Sequence, residues 1–84
     1  MSWSDQEGLE PEAVAVASAA LARSWQFVER DPVLEGQDRE VLQAELARRI
    51  LASIRDGDRD LIPIANRAIR GVRERVARKR SGIA

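Results

Sequence analysis

The chain has 84 residues, a formal net charge of zero, and no Cys, His or Tyr. That length allows one domain with a modest core. Lacking Cys, it can form no disulfide, thiolate metal site or cysteine nucleophile, and lacking His it has neither the commonest general base nor the commonest metal ligand.

Residues 1–8 show no periodicity and end in Gly8, which predicts a mobile N-terminal tail. Trp3 stands out there and reads either as a loosely packed tail residue or as a docking anchor. A first helix is expected over 10–30. Pro11 suits the first helical position, Glu12 adds favourable negative charge to the first turn, and Leu9 and Val14 have the spacing of a hydrophobic staple about Glu10. Two apolar sets lie side by side on this helix: Val14, Ala17, Leu21, Trp25 and Val28, then Ala13, Val16, Ala20 and Phe27. Together they span about half the circumference at about 100° per residue, more than one neighbouring helix needs.

Asp31-Pro32 ends the helix, because proline disfavours the α conformation in the residue before it. Pro32 to Gln37 reads as a connector. Asp38 is the expected N-cap of a second helix over 38–56, whose apolar face holds Leu42, Leu46, Ala47, Ile50, Leu51 and Ile54. Gly57 falls at the position after the C-cap, where a left-handed conformation costs glycine nothing. A third helix is expected over 60–79, capped by Asp58 or Asp60. It carries Leu61, Ala65, Ile69, Val72 and Val76 on one side, and Glu74 lies one turn from both Arg70 and Arg78.

These elements predict an all-α, three-helix domain over 9–80, followed by a frayed C-terminus over 81–84. The second and third helices form an antiparallel hairpin, with the first packed across it. The run Leu46-Ala47-Arg48-Arg49-Ile50-Leu51, then Gly57-Asp58-Arg59-Asp60, then Ile64 and Ala68-Ile69, resembles a pattern in small, uncharacterised all-helical proteins of GC-rich bacteria. The resemblance covers about half the chain, departs from that pattern in having no Pro directly after Asp60, and implies no activity or functional residues.

Candidate chemistry is sparse. Asp56-Gly57-Asp58-Arg59-Asp60 begins like a calcium loop, but Leu61 stands where that loop needs Gly and Arg67 where it needs a bidentate Glu. Glu10, Glu12, Glu35 and Glu40 share no apolar wall that would shift a carboxyl toward acid–base work. Ser18, Ser24 and Ser53 have no His to activate them, and Ser24 and Ser53 are expected to bond back to the preceding turn. The expectation is a non-enzyme with no catalytic residue, metal site, cofactor or small-molecule substrate.

Charge is uneven along the chain. Residues 1–40 hold nine acidic and three basic side chains, for −6, and residues 41–84 hold five and eleven, for +6. Two interaction surfaces follow. One is self-association through Val16, Ala20 and Phe27 on the first helix, since a contiguous exposed apolar patch marks an interface. The other is phosphate contact through Arg67, Arg70, Arg73, Arg78 and Arg80 on the basic third helix. No aromatic is interleaved there for base stacking. The favoured reading is therefore a helical interaction or regulatory module that pairs with itself or another protein, and the alternative is nucleic-acid binding. The N-terminus is acidic where a signal peptide needs positive charge, and no apolar run reaches about 18 residues, so no membrane association and a cytoplasmic location are expected.

Overall fold

A computed structural model describes residues 8–81, and the proposed N-terminal tail falls, apart from Gly8, outside them. Three helices, α1 (Pro11–Val28), α2 (Arg39–Arg55) and α3 (Leu61–Ser81), pack against one another in an all-α domain, and a short 3-10 turn (Pro32–Leu34) joins the first two. Local chemistry sets the boundaries. Glu10 is the N-cap of α1, with Pro11 at the first helical position and the Val14 N–H bonded to the Glu10 carbonyl at 3.0 Å. The Asp38 carboxylate caps α2 by accepting from the N–H groups of Glu40 and Val41 at 2.9 and 3.2 Å.

α2 ends in a Schellman turn. Gly57 has φ +98°, its N–H donates to the Ile54 carbonyl, and the Asp58 N–H reaches back to Ser53. The Arg59 guanidinium caps the same end, donating to the carbonyls of Ile54 and Asp58 at 2.9 and 2.7 Å. The turn that begins like a calcium loop is thus occupied by helix-end hydrogen bonding. Ile64 N–H bonds the Asp60 carbonyl, so α3 starts after Asp60 with Pro63 harmlessly in its first turn.

The α2–α3 hairpin is held in register by a seam that repeats every four residues on both helices. The Glu45 side chain, 4% exposed, accepts from Arg49 Nε at 2.9 Å on its own helix and from Arg75 Nε across the gap. One turn further on, the Arg49 guanidinium lies over Gly71, where any Cβ would strike it. One turn beyond that, Ser53 Oγ accepts from Arg67 at 3.1 Å. Ser53 was expected to bond back along its own helix, as Ser24 does to the Leu21 carbonyl at 3.0 Å. It faces α3, and a donor from that helix takes its oxygen.

α1 runs in the same direction as α3. Glu10 meets Arg59 ahead of α3, and Asp31, past the end of α1, meets Arg73 midway along it. The buried side of α1 is the small-residue ridge Ala13, Ala17, Ala20, Ser24 and Val28. This corrects the expected geometry. Ala20 is wholly buried in the chain's own core and cannot belong to a solvent-facing patch. The alanines bring α1 close to its two neighbours, and the bulky residues stand on either flank. Trp25 is on the α2 side, with the Arg39 guanidinium 5.3 Å from its ring centre, and Phe27 is on the α3 side.

Leu46, Ile50, Ile54, Ile64, Val72 and Val76 form the interior. Two residues outside the expected apolar faces, one of them in the connector, belong to the core as well. Leu34 of the 3-10 turn is 3% exposed, and Ala68 of α3 is 1% exposed.

Two outcomes test this architecture. Ile50 is completely buried, so Ile50→Ala is expected to cost about 2–5 kcal/mol in urea melts. A loss below about 0.5 kcal/mol would place it at the surface. Nothing lies within 4 Å of a Cβ built on Gly57, so Gly57→Ala is expected to cost about 1 kcal/mol from backbone conformation alone. A stabilising change would mean that α2 and α3 are one continuous helix.

Candidate interaction surface

α3 carries most of the basic residues, and most of them are engaged inside the chain. Arg67 pairs with Asp58 at 2.8 Å and so ties down the α2–α3 turn. Arg73 and Arg80 reach the α1–α2 connector. Arg73 Nε lies 2.8 Å from the buried Asp31 carboxylate, and Arg80 donates to the Glu35 carbonyl at 3.1 Å. The Arg73 N–H is not aimed at Asp31 Oδ2, which has no hydrogen-bond donor, so this contact is an ion pair by proximity; Oδ1 accepts from the Val33 N–H at 3.0 Å. Of the five arginines read as phosphate contacts, Arg67, Arg73 and Arg80 therefore brace loops. Arg70 and Arg78 are exposed and have no partner among the described residues. Glu74 forms no ion pair with either of them.

The self-association triad is also divided. Ala20 is internal, Val16 is half-buried against the core, and Phe27 remains, 49% exposed. Phe27 forms one wall of an open groove of about 430 Å³ between the end of α1, the 3-10 turn and α3. Val33, Ile69 and Ala77 give the groove an apolar floor, and Asn66, Arg70, Arg73 and Glu74 edge it. A second cleft shares Phe27, Asn66 and Ile69 with the groove and is also lined by Arg23, Gln26, Arg30 and Asp31. Arg23, Arg30 and Arg70 make no ion pair or side-chain hydrogen bond among the described residues. The apolar groove is thus edged by Arg70, Arg73 and Glu74, and Arg23 and Arg30 lie in the cleft beside it.

A helical wheel shows that Phe27 lies off the centre of the α1 face. It does not show that α3 passes close enough to make a groove of that edge. Glu45 was not singled out either, although two signals were present: the Glu45–Arg49 spacing and an unexplained glycine, Gly71, inside a helix.

The remaining candidates stay apart. Glu10, Glu12, Glu35 and Glu40 are all exposed and share no wall. Among the described residues no cluster of acidic side chains could hold a metal ion, and no helix is long and apolar enough to cross a membrane. Compared with known protein families, curated proteins and solved structures, the chain matches none.

Proposed function

We propose that this chain is a non-catalytic interaction module that associates with itself through the groove between α1 and α3. The observation that carries the reading is Phe27. Among the described residues three large apolar side chains, Phe27, Val41 and Ile62, are left exposed, and Phe27 is the aromatic one and stands beside an apolar floor. Aromatic anchors in desolvated slots supply most of the energy of protein interfaces. Of the two buried carboxylates, Glu45 is hydrogen-bonded by two arginines and Asp31 lies beside Arg73. A second reading, contact with nucleic-acid phosphates, draws on Arg70, Arg78 and Lys79, which are exposed and unpaired among the described residues.

Sedimentation separates the two. Wild type is expected to dimerise at high micromolar concentration. Phe27→Glu should be a monomer with stability within about 1 kcal/mol of wild type, because the ring it replaces is already half in water. A monomeric wild type, combined with duplex DNA binding whose log–log salt slope is about −0.9 per neutralised phosphate, would overturn self-association in favour of the second reading.

A further inference from the structure

Resting on that self-association, we infer that the occupant of the groove is the N-terminal segment of a second copy of the chain, with Trp3 as its anchor. A Phe27 contact alone is too small. A stable interface of ordinary size buries about 800 Å² on each partner, and one aromatic side chain supplies about 150–250 Å². The rest must come from more chain, and its chemistry is set by the groove.

The floor of Val33, Ile69 and Ala77 takes a flat apolar group, and Asn66 beside it offers an acceptor for one N–H. An indole has both properties. Arg70 on the groove's rim, and Arg23 and Arg30 in the adjoining cleft that shares Phe27, Asn66 and Ile69 with it, are unpaired among the described residues and call for carboxylates close to that ring. Ser2-Trp3-Ser4-Asp5-Gln6-Glu7 supplies an indole followed by two acids and contains no basic residue.

Reach to the Phe27 end of the groove points to a neighbouring molecule. The Glu10–Arg59 pair holds the start of α1 beside the start of α3. Phe27 lies sixteen residues along α1 from Pro11, about 24 Å away at helical rise. The six residues from Leu9 back to Trp3 span at most about 20 Å when fully extended, and they would have to double back to follow their own helix. From a second copy no such limit applies. In a two-fold arrangement each chain gives one segment and receives one.

The test is sedimentation equilibrium of full-length variants at low salt. Trp3→Ala is expected to weaken the dimer at least about ten-fold. Reversing Asp5 and Glu7 to Arg should weaken it too, and Arg30→Glu with Arg70→Glu in the same chain should restore it. As a second readout, Trp25→Phe leaves Trp3 as the sole tryptophan, and its emission should shift to the blue as dimers form. If Phe27→Glu abolishes the dimer while Trp3→Ala leaves its dissociation constant within about two-fold, the groove is an interface and the segment is not its occupant. A wild type monomeric throughout removes the self-association on which the inference rests.

Discussion

The Glu45 carboxylate lies in the seam between α2 and α3, almost out of contact with water, and a guanidinium takes each of its oxygens. Removing a carboxylate from water is costly, and the cost is offset only when charge-assisted hydrogen bonds occupy its lone pairs. Here one bond comes from Arg49 on the same helix and the other from Arg75 on the next, which locks the two helices at one height. The apolar contacts alone would not do this. Both helices present Leu, Ile, Val and Ala, and a slip of one turn would exchange like for like. The charges distinguish the registers. In the observed one Arg49 faces Gly71. A slip of one turn in either direction would set Arg49 against Arg75 or Arg67, like charge on like charge. The arrangement is not fully satisfied, since Arg75 Nη2 is buried without a partner. Its contribution is therefore to specificity of pairing more than to total stability.

Once the hairpin is set, the other arginines of α3 reach their loops. Arg67 meets Asp58 in the α2–α3 turn, and Arg73 and Arg80 meet Asp31 and the Glu35 carbonyl in the connector. The Arg73–Asp31 pair, like Glu10–Arg59, joins charges from the two halves of the chain. The exposed pairs among these add little energy and mainly set geometry. They hold the 3-10 turn against α3, and the placement of Val33 there completes the groove that Phe27 borders.

Much of the fold was legible because it is written in nearest-neighbour chemistry. Asp38 as a cap, Pro11 at the start of α1, Gly57 in the left-handed turn and the apolar period of α2 each depend on a few adjacent residues. The candidate surface was less legible because it depends on how close the helices come. Periodicity groups Ala20 with Phe27, and only packing shows that alanine marks the closest approach while phenylalanine marks its edge. Likewise Gly71 looks like a weak point in a helix until Arg49 is seen to fill the space above it. Leu34 had no periodic neighbours to mark it, and it is buried because the arginines hold its turn down.

The most direct measurement is a double-mutant cycle between Glu45 and Arg75, using Glu45→Gln, Arg75→Met and the double variant, with stability taken from urea melts. A seam that sets the register should give a coupling energy of about 1–3 kcal/mol that persists in high salt, because the carboxylate is shielded from solvent ions. A coupling below about 0.3 kcal/mol, or one that vanishes with salt, would show a surface contact that leaves the register to the apolar faces alone.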